Sequence, residues 1–164
     1  QYFRTMGEAV ERAGGQLDKF IGDGVMALFG IETDTQAGCR AALEAARRMA
    51  VGLKELNENL KNDLPEPLRI GIGIHVGSVI VGDMGYAGAR SVTAIGDPVN
   101  TASRLEAMNK DFTSQLIVSK KVARRAGLDL SHERLEVVPV RGRADPLQVY
   151  ILNDAADLKA LADA

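Results

Sequence analysis

The sequence predicts an α+β domain in which helices pack on one face of a mixed, mostly antiparallel sheet. Three observations lead there. Apolar residues step by three or four along a stretch of about 30 residues after Thr33, as a helix with one buried face requires. Ile70, Ile72 and Ile74 alternate with other residues at the period of a strand. Helical and strand patterns then interleave as helix, hairpin, helix, hairpin, strand, helix, strand, helix, hairpin.

Residues 2–13 read as an amphipathic helix, because Phe3, Met6 and Val10 recur at helical spacing and Gly14-Gly15 can end it. Residues 16–21 and 25–29 form a hairpin around Gly22-Asp23-Gly24. Thr33, Asp34 or Thr35 caps a long helix reaching about residue 62. Leu43, Ala46, Met49, Leu53, Leu56 and Leu60 mark its inner face, and Pro65 and Pro67 stop it. Residues 68–76 read as a strand that turns at Gly77-Ser78 into a second, from 79 to 81 and a little beyond. Residues 86–89 read as a small-residue loop and 91–95 as a short strand. Asp97 is the expected cap of the next helix, with Pro98 in its first turn, and that helix runs to about 110. A strand at 116–119, a short helix at 120–126 and a closing hairpin of 135–140 with 148–152 follow. The domain is thus expected over 1–152, with an Ala-rich tail, helical or frayed, from 153 to 164.

At 164 residues the chain suits one domain with a sizeable core. A formal net charge of -2 gives no electrostatic case for nucleic acid or an anionic membrane. No apolar run reaches the roughly 18 residues of a membrane span, and no signal peptide is visible. The single cysteine, Cys39, cannot form an internal disulfide and reads as a small core residue. A cytoplasmic domain is expected, with any membrane tether in other parts of a parent protein.

Two stretches point to chemistry. In "LDKFIGDGVMALFG" a carboxylate, Asp23, sits between glycines at a turn, and Lys19 lies three residues before the first of them. Gly-Asp-Gly is also ordinary hairpin chemistry. In "NTASRLE", Asn100 and Arg104 lie four apart on a helix and therefore share a face, one turn from each other. An amide and a guanidinium displayed together can orient a hydroxyl and meet phosphate oxygens bidentately. The alternative is a solvated helix with Arg104 paired to Glu106 or Asp97. His75 and His132 read as structural and surface residues, and Asp83 and Asp97 as turn and cap residues.

"LDKFIGDGVMALFG", "GIGIHVGSVIVGDMG" and "TAIGDPVNTASRLE", in this order, resemble the catalytic domain of the class III nucleotidyl cyclases over residues 1–152. The resemblance implies a ferredoxin-like, palm-type fold and conversion of ATP or GTP to a 3′,5′-cyclic monophosphate and pyrophosphate. It implies that Asp23 is a metal ligand for Mg²⁺ or Mn²⁺, two per active site, since hard cations prefer carboxylate oxygens. Lys19 matches the purine-reading position that is lysine in adenylate cyclases and glutamate in guanylate cyclases. An ammonium suits the acceptor N1 of adenine. Thr93 falls in the second purine-reading slot, where its hydroxyl can accept from the adenine amino group. Asn100 matches the ribose-positioning asparagine and Arg104 the arginine that stabilises charge on the α-phosphate. Arg141, in "VRGRADP", falls where the family has a lysine for the outer phosphates, and Arg90 is a weaker candidate for a phosphate contact.

The family's other metal aspartate belongs to an Asp-x-x-Gly-Phe/Tyr block that this sequence does not contain, so a longer native chain is expected to supply it. The resemblance also implies a head-to-tail homodimer. Asp23 would come from one protomer, and Lys19, Thr93, Asn100, Arg104 and Arg141 from the other. ATP is the expected substrate and a fused upstream regulatory domain the expected neighbour. A guanylate cyclase and a catalytically inactive nucleotide-binding or dimerisation module are the alternatives.

Overall fold

The structure, a computed structural model, describes residues 1–159, and within that span the side chains of Met84, Ala89, Arg90 and Ser91 lie outside the description. Helix α1 (Tyr2–Arg12) buries Met6, Ala9 and Val10 and packs against α2. Strands β1 (Gln16–Ile21) and β2 (Gly24–Leu28) form an antiparallel ribbon with a bulge between Leu17 and Lys19. Of the three candidate caps for α2 (Thr35–Asn59), Asp34 takes the role, its side chain accepting from the Ala37 amide at 2.7 Å. The helix buries Leu43, Ala46, Leu53 and Leu56 as its periodicity predicts, together with Cys39, Ala42, Ala45 and Ala50. Met49 and Leu60 are only partly covered. Burial raises the Cys39 thiol above its ordinary pKa, which suits an inert core group.

The central sheet has four strands in the order β3 (Ile72–Ile74), β6 (Leu116–Ser119), β8 (Leu147–Leu152) and β7 (Arg134–Val138). The β3–β6 pair is parallel and the others are antiparallel. The strand expected over 68–76 is confined to three residues, because β6, its neighbour in the ladder, is itself only four residues long. Helices cover both faces of this sheet, where one covered face was expected. Leu116, Val118, Tyr150 and Leu152 face α2 and α4 (Lys120–Ala126), while Ile117, Val149 and Ile151 face Leu105 of α3 (Asp97–Phe112). That split follows from strand alternation: all four residues of β6 are apolar or small and all are buried.

Strands β4 (Ile80–Tyr86) and β5 (Ala89–Ile95) form a separate antiparallel arm. The loop expected over 86–89 is a two-residue turn at Ala87-Gly88, both with positive φ, so both strands are longer than their sequence suggests. Asp83 therefore lies on a strand opposite Val92, not in a turn.

Helix α3 is set down tightly on β3. A Cβ at Gly73 would lie 2.3 Å from the Ala102 carbonyl oxygen, so glycine is what permits this approach. Asn109, also buried, donates to the Ile72 carbonyl at 3.0 Å and accepts from the Ser114 hydroxyl at 2.8 Å. Leu105 is wholly buried, and burying a leucine contributes about 1.5–3 kcal/mol. These contacts fix the helix that carries Asn100 and Arg104. Beyond β8 the chain does not fray at once: Ala155 and Leu158 are buried, a 3₁₀ turn spans Ala155–Asp157, and Asp154 pairs with Lys54 of α2. Residues 160–164 of the expected tail lie outside the described residues. Among the described residues no helix is long and apolar enough to cross a membrane.

Candidate active site

The residues singled out by sequence fall into three places in one chain. Asp23 is at the tip of the β1–β2 ribbon, exposed, in a two-residue turn whose first residue, Gly22, has φ +60°. Glycine in that slot is what the turn demands. The ribbon is held to α1 by an edge-to-face pair of Phe3 and Phe20, with ring centroids 4.8 Å apart, and Tyr2 donates its hydroxyl to the Asp23 backbone carbonyl at 3.2 Å. Burial, then the charges of Asp23 and Glu106, raise the pKa of Tyr2, so it stays a neutral donor at pH 7.

Lys19 and Thr93 belong to the second place, where β1 meets β5. Lys19 is exposed, and Thr93 is buried. The link between the strands is a hydrogen bond from the Thr93 hydroxyl to Asp18 Oδ2 at 2.7 Å. Asp18 was not singled out by sequence. It lies between the two register positions flanking the β1 bulge, a device that re-aims a side chain.

The third place joins the first two turns of α3 to the loop between β7 and β8. Asn100 is exposed in the first turn of α3, and Arg104 is partly buried one turn on. The Arg104 guanidinium rests against the loop backbone: a Cβ built on Gly142 would stand 3.3 Å from Nη1. Arg141 is exposed on the same loop. Arg143, the second residue that sequence reading missed, donates from Nη1 to Asp97 Oδ2 at 3.0 Å and so ties the loop to the start of α3. Asp97 is thus occupied, and it is not the cap expected of it: Gly96 holds the N-cap position and Asp97 is the first helical residue. Neither Asp97 nor Glu106 pairs with Arg104, which has no ion-pair partner among the described residues. Arg90 pairs through its backbone with Gly85, and its side chain lies outside the described residues.

His75, just past β3, has Nδ1 2.9 Å from the Ser119 hydroxyl. Burial chiefly, with Arg143 and Lys121 adding, pushes its pKa down to about 4, so it is neutral and structural at pH 7. His132 is exposed.

Gly142 has φ +89°, and Gly142→Ala both strains the backbone and crowds Arg104. The expected cost is ~1–2 kcal/mol of stability for the left-handed backbone. Turnover is expected to fall further than that loss explains, because the guanidinium is moved from its seat. Thermal melting and steady-state kinetics on the same protein measure the two effects separately.

As for a metal, Asp23 offers one bare carboxylate, the oxygen donor a hard cation takes. Among the described residues no group of three or more His, Cys, Asp or Glu is placed to hold an ion. Asp23 fits as one ligand, and the described residues do not complete a two-cation centre.

The chain belongs to the family described as the adenylate and guanylate cyclase catalytic domain, whose model matches residues 1–154. It is 36% identical over 157 residues to an adenylate cyclase of Anabaena cylindrica, covering 91% of this chain and 30% of that protein. It is 34% identical over 155 residues to adenylate cyclase 1 of Rhizobium meliloti (strain 1021), covering 92% of this chain and 23% of that protein. The chain therefore spans less than a third of either relative. Among solved structures, the guanylyl cyclase Cya2 superposes with a TM-score of 0.81 at 30% identity, over 92% of this chain and 75% of that one. The adenylyl cyclase CyaB from P. aeruginosa superposes with a TM-score of 0.80 at 27% identity, over 96% and 82%.

Proposed function

We propose that this chain is an adenylate cyclase catalytic domain that closes ATP to 3′,5′-cyclic AMP and pyrophosphate in sites shared by a head-to-tail homodimer. The bond formed joins the ribose 3′-oxygen to the α-phosphorus. The bond broken joins that phosphorus to the oxygen leading to the β-phosphate, and the hydroxyl proton leaves to solvent. The observation that carries the reading is the third place in the site: Asn100 and Arg104 on one face of α3, with Arg104 unpaired by any carboxylate among the described residues and braced on the Arg141–Arg143 loop. A guanidinium held in place without a counter-ion is ready for charge that develops on a phosphate.

Asn100 orients the ribose, Arg104 meets the α-phosphate oxygens, and Arg141 meets the outer phosphates, with Arg90 a further candidate there. Lys19 and Thr93 read the purine. Asp23 would be one ligand to Mg²⁺ or Mn²⁺, two per site, and the bound cation would lower the pKa of the 3′-hydroxyl and neutralise the triphosphate.

The homodimer reading is supported by exposed apolar residues on the β4–β5 arm, among them Ile80, Tyr86, Val92 and Ile95, with Tyr86 89% exposed. A fused regulatory segment is supported by the small share of the two adenylate cyclases that this domain occupies. With ATP as substrate the site works in the cytoplasm.

The likeness to guanylyl cyclase Cya2 makes GTP the second candidate substrate. The test is cyclic-nucleotide production by the full-length protein from ATP and from GTP, with Mg²⁺ and with Mn²⁺. ATP is expected to be preferred by at least about tenfold in kcat/KM, given donor–acceptor matching at the purine edge. Equal or faster use of GTP overturns the assignment of substrate.

A further inference from the structure

We propose that Asp18 is a positioning residue that sets the choice of purine: its carboxylate holds the Thr93 hydroxyl so that Thr93 offers the purine a lone pair and not a hydrogen. The inference rests on the reading of Lys19 and Thr93 as the purine contacts, and it adds the group that gives Thr93 its direction.

A hydroxyl carries one donor hydrogen and two acceptor lone pairs, and it rotates to suit its surroundings. By itself a threonine therefore does not distinguish the 6-amino group of adenine, a donor, from the 6-carbonyl of guanine, an acceptor. Here the ambiguity is removed. Thr93 Oγ1 donates to Asp18 Oδ2 at 2.7 Å, and a carboxylate can only accept, so the hydroxyl hydrogen is committed. What remains on Thr93 is a lone pair. Thr93 is 7% exposed, which leaves little room for water to compete for its hydrogen.

The second oxygen of the same carboxylate reinforces the bias. Asp18 Oδ1 is buried and has no hydrogen-bond partner among the described residues. Buried acceptors are normally satisfied, and this one leaves uncompensated negative charge directly behind the Thr93 hydroxyl. An amino group brings two N–H donors. A carbonyl oxygen brings none and meets negative charge. The backbone supports this arrangement: the register of β1 shifts between Leu17 and Lys19, so Asp18 is aimed at β5 directly beside the lysine assigned to the purine.

Asp18→Asn is the discriminating change, since it keeps the shape. If the amide nitrogen faces Thr93, it donates to the hydroxyl and frees that hydrogen for a carbonyl. If it faces the other way, the nitrogen itself stands where Oδ1 was. In the first orientation a donor enters the slot, and in either the negative charge behind Thr93 is gone. The experiment measures kcat and KM for ATP and GTP with the full-length wild type, Asp18→Asn, Asp18→Ala and Thr93→Val, with a thermal melt of each. Asp18→Asn is expected to lower the ATP/GTP ratio of kcat/KM by about tenfold or more. The change should be carried mainly by KM, because the contact exists before the transition state. Asp18→Ala should lower the ratio as well. An unchanged ratio, or equal slowing of both substrates, overturns the inference and makes Asp18 a strand-joining residue only. If Thr93→Val shifts the ratio while both Asp18 variants leave it alone, Thr93 remains a purine contact and this inference falls by itself. If Thr93→Val also leaves it unchanged, the underlying purine-slot reading falls.

Discussion

Arg104→Ala is expected to lower kcat for cyclic AMP formation by about a hundred- to a thousandfold, the usual consequence of removing a fixed donor aimed at developing charge. The structure makes this a test of chemistry more than of folding. Arg104 has no ion-pair partner among the described residues, so its truncation strands no buried carboxylate there. Its neighbour at the guanidinium end is the Gly142 backbone, and the anchors of α3 are elsewhere, in Leu105, Asn109 and the seat on Gly73. The melting temperature should therefore move little. KM for ATP should change less than kcat, because the interaction strengthens as charge builds on the α-phosphate. Arg104→Lys keeps the charge but loses the two-pronged geometry, and its rate should fall between those of wild type and alanine. Steady-state kinetics with a parallel melt decides the matter. A variant that folds normally and keeps wild-type turnover removes Arg104 from the reaction.

Much of the scaffold was legible because its residues have one wet face and one dry one. The leucines of α2 step by helical spacing toward the sheet, and the strand at 116–119 was identified with its observed bounds. The β4–β5 arm was harder for the opposite reason. Most of its described side chains are exposed, so burial writes no alternation into the sequence, and Ala87 adopts a positive φ that its identity does not advertise. The one-sided sheet failed as an expectation because an all-apolar strand such as β6 gives no sign of which neighbours cover each face.

The candidate site divides in the same way. Asn100 and Arg104 could be paired from sequence, since four residues make one helical turn. The contacts that hold them in place and that join β1 to β5 link distant parts of the chain: Asp97 with Arg143, 46 positions apart, and Asp18 with Thr93, 75 apart. No local period encodes such pairs. Asp18 and Arg143 each stand beside or near a residue that sequence does single out, yet only the fold reveals what they touch.

Mixing two inactive chains should restore activity if each site draws on two protomers. Within one chain Asp23 sits at the tip of the β1–β2 ribbon, and Asn100 and Arg104 sit above the β7–β8 loop; no hydrogen bond or ion pair among the described residues connects the two groups. On the proposed reading Asp23→Ala removes a cation ligand, and losing several kcal/mol of charge stabilisation corresponds to a rate loss of more than about a hundredfold. On the same reading Asn100→Ala releases the ribose from its attack geometry, where misplacement by an ångström costs on the order of a hundredfold. Each variant by itself should be nearly silent. In a heterodimer, however, one of the two sites takes Asp23 and Asn100 from the chains that still have them, while the other site carries both changes. Equal mixing with free exchange makes half the dimers heterodimers, so the mixture should recover about a quarter of wild-type turnover, as two-fold symmetry requires. Titrating one variant into a fixed amount of the other, with cyclic AMP as the readout, should give a curve that rises and then saturates. Both variants must elute as dimers when run separately, which excludes a failure of assembly as the cause of silence. A mixture of such dimers that stays inactive after subunit exchange places Asp23 and Asn100 in one chain's site or in none, and the shared-site architecture is then wrong.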